Sequence, residues 1–183
     1  MISPGKGILL IANPFLKDPN FARTVIFLCE HRAEGSLGFV INKSFPKKLH
    51  ELLTDIEVED VPTFYGGPVQ TNSLQFIHQY GDLIPDGDTV LKNTNWGGNF
   101  ESMVIHLKNN DLDFEKIRFF IGYSGWSAGQ LEEEMKENTW LTVAATEQLL
   151  FATRPEDIWK ESLRELGGDY EMMINFPLDP QLN

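Results

Sequence analysis

The sequence predicts an α+β domain built on a mixed β-sheet, and three observations carry that prediction. Short apolar runs rich in branched side chains, typical of strands, dominate the first 42 residues. The turn at 31–35 has the length of a hairpin connection, so the runs on either side of it should pair antiparallel. Helical spacing appears only later, where it alternates with further strand-like runs. A three-layer α/β arrangement is the alternative architecture.

The amino-terminal part is predicted to form three strands, at 7–13, 23–30 and 37–42. Each run is apolar throughout instead of alternating between apolar and polar residues. Such continuous runs indicate that both faces of the sheet are covered.

The rest of the chain is predicted to alternate between short strands and amphipathic helices. Phe100, Met103 and Leu107 recur at helical spacing and define one buried face. Gln130 and Glu156 each follow a serine or threonine by three residues, as in a capping box. The predicted elements are, in order, a helix after Ser44, strands at 63–65 and 74–78, a helix capped by Asn99, a strand at 117–123, a helix capped by Ser127, a strand at 140–145 and a helix capped by Thr153.

The charge and the hydropathy pattern exclude several classes of protein. Acidic side chains exceed basic ones by 27 to 15, giving a net charge of −12, and residues 93–183 alone carry 16 acidic and 7 basic side chains. Nucleic-acid-binding domains depend on lysines and arginines that neutralise phosphates, so no nucleic-acid partner is expected. The apolar runs near the amino terminus are too short for a signal peptide or a membrane span. We therefore expect one cytoplasmic domain over residues 1–183, with no membrane partner.

Cys29 is the one cysteine of the chain, which excludes an internal disulfide and a zinc site built from several thiolates. Because it lies inside an apolar run, it is expected to be a small buried hydrophobe. The four histidines show no paired spacing on a helix, so no metal is expected. The glycine-bearing loops fit no Walker or dinucleotide pattern, and no cofactor is expected. A metal site assembled from the distant His31, His78 and His106 stays open as the weaker interpretation.

Residues 125–129 match the G-x-S-x-G pattern of a hydrolase nucleophile elbow. In that fold the catalytic histidine follows the serine, whereas every histidine of this chain precedes Ser127. Capping a helix would give Ser127 a complete structural role. We therefore assign no catalytic residue.

Candidate binding residues lie in the segment 123–130 and at both ends of the predicted hairpin. We expect this segment to be a loop in which Trp126 forms an apolar wall and free helix N–H groups form a polar end. On that view, Trp126→Ala keeps the fold and weakens binding by about tenfold or more. Because the hairpin strands run antiparallel, residues 30–31 and 42–43 should lie at opposite ends. The candidates are Tyr123, Ser124, Trp126, Gln130, Glu30, His31, Asn42 and Lys43.

Eight segments, spread in order over most of the chain, resemble the YqgE/AlgH family of bacterial proteins. They are 7–14 (GILLIANP), 18–21 (DPNF), 29–31 (CEH), 38–43 (GFVINK), 66–69 (GGPV), 122–126 (GYSGW), 129–132 (GQLE) and 140–141 (WL). The resemblance implies a curled mixed sheet with flanking helices in a cytosolic protein. It implies no settled activity and no agreed catalytic residues.

Three functional hypotheses follow from the residues and the resemblance together. The first is an accessory or regulatory factor that binds a small ligand or a protein. The second is an enzyme of unknown reaction, whose site would join Glu30, His31, Asn42 and Lys43 to the 123–130 segment. The third is a direct transcriptional regulator, which the acidic charge disfavours. The identity of a partner and the oligomeric state stay open.

Overall fold

A nine-stranded sheet forms the centre of the protein in its computed structural model, which describes residues 1–58 and 60–177. The strands are β1 (Ile8–Ala12), β2 (Val25–Arg32), β3 (Gly35–Val40), β4 (Thr63–Tyr65), β5 (Val69–His78), β6 (Asp88–Leu91), β7 (Thr94–Trp96), β8 (Ile117–Ser127) and β9 (Trp140–Ala144). The helices are α1 (Leu49–Leu52), α2 (Phe100–Lys108), α3 (Gln130–Lys136), α4 (Pro155–Leu166) and α5 (Asp169–Met173), with a 3₁₀ turn at Phe114–Lys116 and a π-helical turn at Gln148–Ala152. No helix within the described ranges is long and apolar enough to span a membrane.

The sheet runs in the order β6-β7-β5-β8-β3-β2-β1-β9, with β4 beside β8. Among the described strands only the β4–β8 pair is parallel, and the other pairs are antiparallel. The predicted α+β class with a mixed sheet is therefore confirmed. The three-layer α/β alternative is wrong, because it requires a mainly parallel sheet with crossover helices.

The predicted β2–β3 hairpin is confirmed, although its strands are shifted along the chain. β2 extends through Arg32, so that Arg32 pairs with Gly35 across a tight turn. At the other end, the side chain of Asn42 accepts the backbone N–H of Val25 at 2.9 Å and donates to the carbonyl of Arg23 at 2.8 Å. Beyond the last residue pair of β2 and β3, the side chain of Asn42 thus makes the hydrogen bonds to the backbone that a further strand residue would make.

The long strand β8 changes partners in its middle. Residues 117–123 pair with β5, and residues 119–121 also pair with β4, whereas residues 124–127 pair with β3. Gly122 makes this change possible with a φ of 69°, a conformation that side chains with a Cβ rarely adopt. A Cβ at Gly122 would also stand 2.4 Å from the carbonyl oxygen of Gly67.

The sheet curls until strands that are far apart in its order come into contact. Gly7, just before β1, lies against Val90 and Leu91 of β6. β1 and β6 are separated by five other strands in the sheet. The curled form implied by the family resemblance therefore agrees with the structure.

Both faces of the amino-terminal strands are buried, as their unbroken apolar runs predict. On β1, Leu9 and Ile11 pack inside the curl with Trp159 of α4. Leu10 points to the opposite face and packs against Leu131 of α3. A further core beneath α2 fills the far end of β8.

One of the predicted helix caps is confirmed outside the site region. The side-chain oxygen of Asn99 accepts the backbone N–H of Ser102 at 2.9 Å and caps α2. The prediction that Thr153 caps α4 is wrong, because its hydroxyl donates to the carbonyl of Gln148 at 2.9 Å. The residue pattern does not predict the π-helical turn at Gln148–Ala152, and this turn supplies the competing acceptor.

Candidate functional site

A cleft of about 490 Å³ lies between the end of β8, α3 and the segment that precedes β2. Its aromatic lining consists of Phe21, Trp126 and Trp140. Ser124 and Gln130 also line it, so that three of the predicted site residues meet here. The volume falls within the range of about 300–1,000 Å³ that is typical of small-molecule pockets.

One carboxylate holds both tryptophans of the cleft. Oε2 of Glu134 accepts the indole N–H of Trp126 at 2.8 Å and that of Trp140 at 2.7 Å. Its Oε1 accepts the side-chain amide of Gln130 at 3.1 Å. Hydrogen bonds to an ionised acceptor are about twice as strong as bonds between neutral groups. The two indole rings are therefore fixed relative to α3 before any ligand arrives.

The three aromatic rings stand edge to face in succession. The centroids of Trp126 and Trp140 lie 6.3 Å apart with the ring planes at 80°, and those of Phe21 and Trp140 lie 5.8 Å apart at 81°. Trp140 is 2% exposed and Trp126 is 7% exposed, whereas Phe21 is half-buried. The tryptophans thus form the floor of the cleft, and Phe21 stands at its rim.

The segment 123–130 is not the loop that the sequence predicts. β8 continues to Ser127, and only residues 128–129 form a turn before α3. Trp126 pairs through its backbone with Ser36 of β3 and packs its ring in the core with Leu131. A pairing partner 90 positions away leaves no trace in the local pattern, which explains the error. From α3, the side chains of Gln130 and Glu134 line the cleft.

The prediction that Ser127 caps α3 is also wrong. The N-cap position belongs to Gly129, whose φ is 76°. Oε1 of Gln130 accepts the backbone N–H of Ser127 at 3.1 Å and its hydroxyl at 3.3 Å. Only the glutamine half of the capping box therefore forms, because Ser127 is still paired in β8.

Ser127→Ala is accordingly expected to change the free energy of unfolding by no more than about 0.5 kcal/mol, as usual for an exposed residue. Asn99→Ala is the matched control, since it removes a real cap and should cost about 1 kcal/mol. Urea denaturation of both variants checks the pair. A loss from Ser127→Ala as large as the loss from Asn99→Ala would restore the capping role.

A second, shallower groove of about 440 Å³ lies on the other side of the same stretch of β8. Glu30 and Tyr123 line it, and Trp126 lines both this groove and the cleft. Glu30 is half-buried and lies 3.0 Å from the guanidinium of the exposed Arg32, so its charge is partly neutralised. The groove thus gathers Glu30 and Tyr123 beside Trp126, whereas Gln130 and Trp140 line only the cleft.

His31 connects the hairpin to α3. Its Nδ1 lies 2.7 Å from the hydroxyl of Ser36, and its Nε2 lies 3.6 Å from a carboxylate oxygen of Glu132. Both ring nitrogens thus have neighbours inside the protein.

Asn42 and Lys43 lie at the opposite end of the hairpin, as expected. The ammonium of Lys43 donates to the carbonyl of Asn20 at 2.5 Å. Burial lowers the pKa of Lys43, and the nearby Asp18, which lines the cleft, opposes that shift. Lys43 therefore stands behind one rim of the cleft, while Asn42 is engaged with the backbone of the strand.

The other nucleophilic and metal-binding candidates have structural partners. Cys29 is 1% exposed as expected, and burial raises the pKa of its thiol well above the ordinary value. His78 contacts the carbonyl of Gly97 at 2.7 Å, and His106 contacts Asp111 at 2.7 Å. Across residues 1–58 and 60–177, no three histidine, cysteine or acidic side chains are grouped as metal ligands.

Sequence reasoning missed Glu134, Phe21 and Trp140. Glu134 falls in a run of three glutamates that resembles a solvated helix face. It lies four residues after Gln130, however, and so shares a side of the helix with it. That spacing is the signal that was available. Trp140 belongs to β9, and no spacing in the sequence indicates that its ring reaches the same cleft.

The chain matches known proteins over nearly its whole length. The family model described as DUF179, AlgH-like, matches residues 9–171. A UPF0301 protein of Chlorobium luteolum is 42% identical over 177 residues, covering 97% of this chain and 94% of the relative. A UPF0301 protein of Bacteroides thetaiotaomicron is 38% identical and covers 100% of this chain and 93% of the relative.

Two solved structures share the fold. The solution structure of AlgH from Pseudomonas aeruginosa has a TM-score of 0.76 and 31% identity, with 97% of each chain covered. The crystal structure of protein DIP2367 from Corynebacterium diphtheriae also has a TM-score of 0.76, with 96% of this chain and 94% of that chain covered. The two sequences are only 18% identical, so this likeness supports the fold alone. The family match and the full-length relatives together show that this chain belongs to the AlgH-like (UPF0301) family.

Proposed function

We propose that the protein is an accessory or regulatory factor that binds a small ligand in the cleft between β8 and α3. The observation that carries the proposal is the tryptophan pair fixed by Glu134 at the floor of a cavity of about 490 Å³. Rigid aromatic surface that is ordered in advance adds affinity, because little side-chain entropy is lost on binding.

Binding accounts for the arrangement better than catalysis does. The enzyme hypothesis requires Glu30, His31, Asn42 and Lys43 to act with residues 123–130. In the fold these four residues lie at two ends of a hairpin, and each of them contacts another protein group. No specific observation favours direct transcriptional control, and the net charge of −12 opposes DNA binding.

A cytoplasmic location is part of the proposal. It is supported by Cys29, a free thiol buried in the core. Free thiols are typical of a reducing compartment.

Nuclear magnetic resonance of the ¹⁵N-labelled protein tests the site with a library of small fragments that includes neutral, cationic and anionic compounds. The chain has four tryptophans, each with one indole N–H signal. Fragments that bind in the cleft should shift the signals of Trp126 and Trp140. The signals of Trp96 and Trp159 should stay in place, since those indoles donate to Gln75 and to the carbonyl of Ala12 outside the cleft.

Trp126→Phe and Trp140→Phe assign the two cleft signals, because each variant removes one of them. A library without a fragment that shifts either signal would contradict the proposed function. Fragments that bind but shift only Trp96 or Trp159 would place the binding site elsewhere.

A further inference from the structure

The cleft between β8 and α3 presents more hydrogen-bond acceptors than donors to a ligand. Its two indole N–H groups already donate to Glu134. The hydroxyl of Ser124 donates to the carbonyl of Gly66 at 3.1 Å, and the amide of Gln130 donates to Glu134. The strong donors of the lining are therefore largely used inside the protein, so a ligand must bring donors of its own.

The ionisable side chains that line the cleft carry the same sign. They are the carboxylates of Asp18, Glu134 and Glu137. Among the described residues, none of the three lies within 4.0 Å of a lysine, arginine or histidine nitrogen. Lys43 stands behind Asp18 without lining the cleft, so it offsets part of one charge only. A ligand that brings a positive charge would gain from this field.

The aromatic lining favours the same kind of ligand. The edge of an aromatic ring is electropositive and its face electronegative. The N–H edges of both indoles donate to Glu134. The ring planes of Phe21 and Trp140, and those of Trp140 and Trp126, are nearly perpendicular. A cavity with aromatic walls and nearby carboxylates is the arrangement that recognises organic cations.

We propose that the ligand of this cleft is a small organic cation, an amine or a guanidine attached to an apolar stem. The apolar stem would contact Phe21 and the tryptophan floor, while its N–H groups meet the carboxylates. This proposal rests on the proposed function, since it names the chemistry of the ligand for the same site.

Three probes of similar size and different charge test it, namely phenethylammonium, 2-phenylethanol and 3-phenylpropionate. Each is titrated into the ¹⁵N-labelled protein while the indole signals of Trp126 and Trp140 are followed. Phenethylammonium should bind at least about tenfold more tightly than the alcohol, and the propionate should bind most weakly. Added salt should weaken the ammonium probe and leave the alcohol unchanged.

Glu137→Gln removes one negative charge from the lining at an exposed position. It should weaken phenethylammonium by about threefold or more and leave 2-phenylethanol unaffected. Glu165→Gln is the matched control, because it makes the same change of net charge at an exposed position on α4, away from the cleft lining. It should alter neither probe.

The outcomes separate this proposal from the proposed function. Equal affinities for the ammonium and the alcohol, or preference for the propionate, overturn the cation while the cleft remains a binding site. If Glu137→Gln and Glu165→Gln weaken the binding of phenethylammonium equally, the effect comes from the net charge of the protein. That result would also overturn the proposal of a cationic ligand. If none of the three probes shifts the signals of Trp126 or Trp140, the cation proposal fails. The proposed function fails only if the fragment library also leaves both signals in place.

Discussion

Gly122→Ala is expected to lower the free energy of unfolding by about 2–6 kcal/mol, because two costs combine. A residue with a Cβ at a φ of 69° is strained by roughly 1–3 kcal/mol. The new Cβ would also stand 2.4 Å from the carbonyl oxygen of Gly67 and 2.9 Å from that of Val69. Forcing such backbone atoms apart adds about 1–3 kcal/mol and loosens the β5–β8 pairing.

Chemical denaturation followed by circular dichroism measures this loss, and Gly125→Ala supplies the control in the same strand. A Cβ at Gly125 meets nothing closer than 3.5 Å, where it would touch the ring of Tyr123. That variant should stay within about 0.5 kcal/mol of the parent. Similar stabilities for the two variants would show that the partner change of β8 does not depend on Gly122.

Trp126→Ala is expected to destabilise the fold by about 3–5 kcal/mol, the usual cost of truncating a buried tryptophan. Trp126 is only 7% exposed, packs with Leu131 and Trp140, and donates to Glu134. Its loss opens a cavity in the core and leaves one hydrogen bond of the carboxylate unmade. The burial of Trp126 therefore argues against the expectation that this variant keeps its fold and reports on binding alone.

Thermal and urea unfolding of Trp126→Ala check the size of the effect. Phe15→Ala is the control, since the ring of Phe15 is 62% exposed and its truncation should cost less than about 1 kcal/mol. A Trp126→Ala protein as stable as the Phe15→Ala protein would mean that Trp126 belongs to a surface and not to the core. Binding in the cleft is better mapped with Glu137→Gln, which leaves the core untouched.

Local sequence patterns predicted the elements whose stability depends on residues that are close together in the chain. The β2–β3 hairpin follows from two apolar runs and a short turn, and the α2 cap follows from Asn99. The β6–β7 hairpin escaped prediction, because its strands are short and carry few apolar residues. Such strands are held by their neighbours in the sheet and not by their own composition.

The structure brings together some of the residues that the sequence proposes for a site. Ser124, Trp126 and Gln130 lie in one cleft, and Glu30 with Tyr123 lies in the neighbouring groove. The local structure predicted for this segment was wrong. Ser127 and Trp126 both belong to a strand whose partner is remote in sequence, so a local interpretation as loop and cap failed.

The sequence by itself determined the α+β class, the covered faces of the first strands, the buried thiol of Cys29 and the family. Each of these depends on composition, periodicity or motif order, which are properties of the linear chain. Only the tertiary structure decided that β8 changes partners at Gly122 and that Glu134 receives two indole N–H groups. These features depend on which segments meet in space, and long-range hydrogen bonding and packing select those meetings without leaving a local pattern.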